Sequence, residues 1–349
     1  MPRILAAASA FPPYDYAQDE IRDVARHLFG GRLSGLEQLL TVFANARVER
    51  RQFVRPPAWY LEPRDAAERN QVFLTDGFQL LERAARLCLQ QAAVAAADLD
   101  LIIAVTSTGH AAPSLDARLV GVLGCRPDTV RLPLWGLGCA GGAAGLARAR
   151  DYCLAHPEAR VLVATLETCS LTFLSDDASK KNLVAAAIFG DGAAAALVAG
   201  ERAAAAGPRL SAARSHLFPD SERVMGWDVV AGGLQLVLSP RLPTMVRAEL
   251  PALVEAFLAD HGRRRHELAF YLTHPGGSRV IDAYRQALGL YGDELALTEQ
   301  ILREHGNISS ASVLVVLEHW LRDGPADAGT GLLSAFGPGF SAELLLVET

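Results

Sequence analysis

Apolar positions along the chain fall into short unbroken runs that alternate with stretches of helical spacing. Ile4–Ala10 is the first run, ended by Phe11-Pro12-Pro13, and reads as a strand. Residues 16–43 and 65–97 carry helical spacing; in the second, Phe73, Phe78, Leu80, Leu81, Ala84 and Leu87 share one face. Leu99–Thr106 and Arg160–Leu166 are continuous apolar runs of the kind buried on both faces of a sheet, and Val130–Leu137 is a further strand. That strand gives way to the small-residue run 138–145 and an Ala/Leu/Arg helix to about His156. Ala185–Val198 is apolar with a bend at Gly190-Asp191-Gly192. Leu234–Leu238, Leu268–Thr273, Gly331–Phe336 and Ala342–Val347 read as strands, with helices at about 243–261, 277–289 and 309–322 between them. Such alternation predicts a layered α/β protein. The Ala- and Gly-rich patch Ala199–Pro208 is the expected boundary, dividing 1–207 from 208–349.

Composition narrows the classes. The 349 residues are 50% hydrophobic and 21% charged, which excludes disordered and collagen-like chains and allows a sizeable core. Lys+Arg 33 against Asp+Glu 39 leaves a formal charge of −6, so nucleic acid is not an expected partner. Five cysteines without a C-x-x-C pair read as neither a disulfide framework nor a zinc site. Pro12 and Pro13 interrupt the N-terminal run before a signal sequence could form, and no run reaches the ~18 apolar residues of a membrane span. A reduced, cytoplasmic enzyme is the expectation.

Three residues stand in settings that suit chemistry. Cys139 lies in GLGCAGG where a strand passes into a helix, so free N–H groups and the helix dipole would favour its thiolate; a small buried hydrophobe is the alternative. Cys88, Cys125 and Cys153 lack that setting. His274 ends a strand ahead of Pro275-Gly276-Gly277, at the sheet edge where α/β proteins gather ligand groups, or else it is a turn histidine. His110, after TSTG, is a second candidate base, and the remaining histidines, His305 among them, read as solvated. Asn307 precedes the apolar helix SSASVLVVLEHW, as a cap or as an amide that donates to an oxyanion. Gly337-Pro338-Gly339 is a tight turn or a cavity wall. Arg47, Arg50, Arg51 and Arg55 cluster as a solvated face or a phosphate clamp. GLGCAGGAAG lacks the spacing of a dinucleotide fingerprint, and no Walker A or metal spacing occurs.

Cys139, His274 and Asn307 in this order, with TSTGHAAPSLDARL, ARVLVATLETCSLTF, IFGDGAAAALV, LTHPGG, GNISSASV and AFGPG around them, resemble the thiolase-fold condensing enzymes, and within them the type III polyketide synthases of the chalcone-synthase kind. The resemblance implies a thiolase-like αβαβα layered fold of two related halves, each with a mixed five-stranded sheet. It implies that a Cys139 thiolate, paired with His274, takes an acyl group from an acyl-CoA. His274 and Asn307 then stabilise the enolate of decarboxylated malonyl-CoA, which attacks that acyl group. No resident cofactor or metal is implied; coenzyme A thioesters are substrates, and a homodimer is expected. By the same matching, Phe173 and Leu236 are the two gatekeepers between a coenzyme A tunnel and the cavity. Glu167, Cys169, Thr172 and Ser309 fall on a cyclisation network, with Cys169 in place of threonine. Trp227 stands where many plant members have glycine, and Gly337 and Pro338 shape the cavity. Arg47, Arg50 and Arg51 are the candidates for coenzyme A.

PSLDARL, GLGCAGG and MGWD resemble bacterial synthases that use long-chain fatty acyl-CoA and make alkylpyrones or alkylresorcinols, with Ala143, Ala144, Ala185 and Leu236 edging an alkyl-binding cavity. A single-round ketoacyl synthase and a non-catalytic acyl-binding relative are the alternatives. Pro275-Gly276-Gly277 after His274, where ketoacyl synthase III typically has Gln-Ala-Asn, speaks against the first, and the intact Cys, His and Asn against the second.

Overall fold

Most apolar runs become strands of one mixed sheet. The computed structural model describes residues 1–203 and 206–349, so Ala204 and Ala205 of the expected Ala199–Pro208 boundary lie outside the described residues. In chain order the strands are β1 (Arg3–Ala10), β2 (Tyr14–Ala17), β3 (Arg50–Phe53), β4 (Leu101–Thr106), β5 (Val130–Trp135), β6 (Arg160–Thr168), β7 (Asp191–Ala199), β8 (Arg209–Leu217), β9 (Met225–Val230), β10 (Gly233–Leu238), β11 (Leu268–Thr273), β12 (Thr330–Gly337) and β13 (Ser341–Glu348). Nine of them form a sheet in the order β11-β12-β13-β8-β1-β7-β6-β4-β5. Pairing is parallel for β11/β12, β4/β5 and β4/β6 and antiparallel elsewhere.

The layered α/β class holds, and the detail of the sheets differs from expectation. Five strands (β1, β7, β6, β4, β5) come from the first half and four (β11, β12, β13, β8) from the second, not five from each. The two sets are continuous through one residue pair, Arg3 with Arg209. Beside it Ile4 N–H donates to Pro208 O and Leu210 N–H to Pro2 O, both at 2.9 Å. The run Leu234–Leu238 becomes β10, which pairs with β9 in a separate hairpin that sets Leu236 opposite Trp227. Those side chains line a cavity, so the hairpin serves as a wall instead of a sheet strand.

Two helices, Gly141–Ala155 and Ser312–Asp323, lie between the halves. Their residues share one apolar core with β1, β4, β6 and β7 on one side and β11, β12 and β13 on the other. The first turn of the former is Gly-Gly-Ala-Ala-Gly, all buried, and the absence of bulk lets the helix sit in the centre of the protein. Each fully buried side chain there, Leu314 for example, contributes about 2 kcal/mol. Helix Phe78–Gln91 covers the outer face of the first half, and Leu242–Ala259 with Ser278–Leu288 covers that of the second, which completes five layers.

Other differences are local. The helical stretch 16–43 is Gln18–Phe29 followed by the short Leu36–Leu39 and Thr41–Asn45, because Gly30 and Gly31 end the first helix. Ala185–Val198 divides into the end of helix Lys180–Ile188 and the start of β7 at the Gly190-Asp191-Gly192 bend. Strand β8 (RLSAARSHL) has too many polar positions to stand out in the sequence. Among the described residues no helix is long and apolar enough to cross a membrane.

Candidate active site

Cys139, His274 and Asn307 come from three separate segments and line one cavity. Cys139 is in the tight turn Gly138–Ala140 at the head of the central helix Gly141–Ala155. Gly138 N–H donates to Ser107 Oγ at 2.8 Å, and Gly138 has φ +47°, with the space for a side chain filled by Pro338 2.6 Å away. A glycine is required there, and the Gly337-Pro338-Gly339 turn is both the β12–β13 connection and a wall of the site. His274 follows β11, where its backbone N–H donates to Ser334 O at 2.9 Å. Asn307 follows helix Ala296–His305. Its Oδ1 accepts from Ser309 N–H at 2.8 Å, its Nδ2 donates to Gly276 O at 3.3 Å and lies 3.7 Å from Cys139 Sγ. Asn307 is therefore not the cap itself, a position that Ile308 takes; its oxygen accepts the Ser309 N–H in a local turn, and its amide lies against the sulfur.

Burial sets the electrostatics. The Cys139 thiol is pushed up to about 11, first by complete desolvation; hydrogen bonds from Asn307 and Ser309 oppose this, and the negative Glu167 adds to it. The thiolate expected from the helix start is thus disfavoured for the sulfur alone, since burial penalises charge more than one turn of dipole rewards it. Desolvation likewise lowers the His274 imidazole to about 3, and neither ring nitrogen has a hydrogen-bond partner among the described residues. Burial thus holds the pair as a neutral thiol and a neutral imidazole lining the same cavity. Beneath the site Glu167 is fully buried and accepts from Thr108 Oγ1 (2.7 Å), Ser107 N–H (3.1 Å) and Ser310 Oγ (2.5 Å). Burial still raises its carboxyl to about 7.

Trp227, Leu236, Ser309 and Pro338 line the cavity with the three polar residues, leaving about 60 Å³ in which the centre of a water molecule can sit. Gly337 does not line it; the residue packs against Leu137 O and Ala140. Cys169, Thr172 and Phe173 line a neighbouring apolar cavity of about 70 Å³, together with Ile21, Val24, Ala25 and Leu28 of helix Gln18–Phe29. Phe173 is therefore not at the sulfur. Phe189, which has no counterpart among the residues expected from sequence, lines both cavities and tilts toward Trp227 at 6.5 Å. Its signal was present in IFGDG, the motif that runs into β7. Ala185 lines the second cavity, whereas Ala143 and Ala144 are core residues. A third cavity of about 240 Å³ contains Thr108, His110 and Thr172. There His110 stacks on Trp135, away from Cys139, and His305, expected in solvent, is stacked on Phe11 at 3.9 Å.

The arginines of the cluster do not share one site, and each meets a different partner. Arg47 pairs with Asp282, Arg50 with Asp15 and Arg55 with Asp76. Arg51 is fully buried, its guanidinium bonded to the carbonyls of Ala186 and Phe189. β3 pairs with β2 and turns this side chain inward, whereas Arg50 before it faces water.

The chain is similar to known proteins along most of its length. The family description "Chalcone and stilbene synthases, N-terminal domain" matches residues 61–202, and its C-terminal counterpart matches 209–349. A Bacillus subtilis (strain 168) protein provisionally named a chalcone synthase is 42% identical, over 98% of this chain and 97% of its own. The 1,3,6,8-tetrahydroxynaphthalene synthase of Streptomyces peucetius subsp. caesius is 40% identical, over 99% and 92%. The crystal structure of the same-named bacterial type III synthase of Streptomyces coelicolor A3(2) superposes with a TM-score of 0.94 at 32% identity, covering 99% of each chain.

Proposed function

Because this chain belongs to the chalcone and stilbene synthase family and is a type III polyketide synthase, we propose that it extends an acyl-CoA starter with malonyl-CoA in repeated decarboxylative condensations on Cys139, then releases a cyclised product. The observation that carries the residue roles is the one cavity shared by Cys139, His274 and Asn307, with the amide nitrogen 3.7 Å from the sulfur. His274 takes the thiol proton and Cys139 Sγ attacks the starter thioester, expelling coenzyme A thiolate. Malonyl-CoA then places its thioester oxygen between His274 and Asn307 Nδ2. Loss of CO2 leaves an enolate whose charge these donors hold, and the enolate carbon attacks the acyl-cysteine and frees the sulfur.

The starter is proposed to be a fatty acyl group, with an alkylpyrone or alkylresorcinol as product. Support comes from the second cavity, which adjoins the first at Phe189 and is walled by Ile21, Val24, Ala25, Leu28, Phe53 and Ala185. An alkyl chain leaving Cys139 past Phe189 would bury its methylenes there, at roughly 0.8 kcal/mol each. A second reading, a malonyl-primed aromatic product, is favoured by the 40% identity to a tetrahydroxynaphthalene synthase. Product analysis with malonyl-CoA alone and with acyl-CoAs of graded length separates them. Turnover on malonyl-CoA alone, unimproved by longer starters, would reject the fatty acyl reading. A homodimer working on cytoplasmic thioesters is also proposed; β5 is a sheet edge with Val130 and Trp135 about half exposed, a surface a second copy could cover.

A further inference from the structure

Arg51 heads the fully buried side chains by size, which is unusual for a residue with a permanent charge. Its guanidinium donates to Ala186 O (2.6 Å), Phe189 O (2.9 Å) and Gln18 Oε1 (2.7 Å). Gln18 in turn donates to Phe43 O (3.2 Å) and Ala187 O (2.9 Å). Desolvation lowers the guanidinium, and Asp191 opposes this as the nearest anion, although its oxygens bond Val54 N–H and Ser170. An apolar side chain would fill this space without the desolvation penalty, so packing alone does not account for an arginine here. What the charge meets is the carbonyl end of helix Lys180–Ile188, where the helix dipole favours a cation.

The chain just beyond that helix end is tied to the candidate site. Asn307 N–H donates to Ile188 O at 2.9 Å and Gly190 N–H donates to Asn307 O at 3.0 Å, a parallel bridge between Phe189 and Asn307. The stem of Arg51 runs alongside this bridge. A Cβ on Gly306 would stand 2.9 Å from Arg51 Cδ.

We propose that Arg51 is a positioning residue, which through the Ile188–Gly190 segment holds the Asn307 amide at Cys139 and Phe189 at the junction of the two cavities. The inference rests on the role given above to Asn307. Lysine preserves the charge, but as a point donor it cannot span two carbonyls and Gln18 in one plane.

The test compares Arg51→Lys, Arg51→Met and Gln18→Met with the wild type in three measurements: acylation of Cys139 by an acyl-CoA, read by mass spectrometry; CO2 release from malonyl-CoA; and thermal unfolding. Wild-type CO2 release and acylation report separately on the functional reading itself. In Arg51→Lys, CO2 release is expected to fall about 100-fold while acylation changes less than about threefold, since a displaced amide affects the enolate and not the thioester attack. Gln18→Met, which loosens the guanidinium and leaves it in place, is expected to lose about tenfold in CO2 release by the same displacement, with a melting temperature near wild type. Unchanged CO2 release in folded Arg51→Lys or Gln18→Met would overturn the proposal. So would acylation and CO2 release falling in step with stability, the pattern of a core residue.

Discussion

Ser310 donates its hydroxyl to Glu167 Oε1 at 2.5 Å, which ties the start of the central helix after Asn307 to the end of β6. The carboxyl that receives it is buried beneath Cys139 and raised from 4.5 to about 7. A contact between residues far apart in sequence thus holds a titrating carboxyl in the packing behind Cys139.

That carboxyl has a pH signature. Between about 4.5 and 7 the folded protein keeps the Glu167 proton that the unfolded chain has lost, so stability falls as pH rises through that interval. Above 7 it stands as a penalty of about 3 kcal/mol, because holding the proton over each pH unit of that interval is worth about 1.4 kcal/mol. Glu167→Gln should therefore gain up to about that much stability relative to wild type between pH 4.5 and 8, whatever constant offset its altered hydrogen bonds bring. Urea unfolding of both proteins at several pH values checks this; a difference that stays flat would show that the carboxyl titrates normally.

Cys139 and His274 should depend on one another. With the thiol held at about 11 and no base beside it, alkylation of His274→Ala by iodoacetamide should climb about tenfold per pH unit from 7 to 10. The wild type should be at least about tenfold faster at pH 7 and flatter across the range, because the imidazole accepts the proton inside the cavity. Equal rates at pH 7 would remove His274 from the step.

Starter choice should respond to the second cavity. Ala185→Leu narrows it, and each methylene denied burial loses about 0.8 kcal/mol, close to fourfold in kcat/KM. The variant should shift its preference toward shorter acyl-CoAs while malonyl decarboxylation is retained. An unchanged chain-length profile would mean that the alkyl chain goes elsewhere.

Gly306 should tolerate no side chain. It has φ +69°, and a Cβ would lie 2.5 Å from Ile188 O and 2.9 Å from Arg51 Cδ. Gly306→Ala is expected to cost about 3 kcal/mol from strain and displaced packing. Chemical denaturation measures it, and a loss below about 1 kcal/mol would indicate that the bridge to Asn307 yields freely.

The apolar runs and the small-residue turn of the sequence were sufficient for the layered α/β class and for the segments that carry Cys139, His274 and Asn307. Strand period and glycine placement are local properties, and local properties survive in a linear text. Several outcomes depended on partners distant in the chain: which phenylalanine stands between the cavities, which arginine turns inward, and whether a thiol at a helix start is acidic. Arg50 and Arg51 look alike in sequence, yet adjacent positions of one strand face opposite ways, so one meets Asp15 in water and the other the carbonyls of Ala186 and Phe189. Burial likewise reversed the expected direction for Cys139, because desolvation is a property of everything packed around an atom and not of its neighbours in the chain.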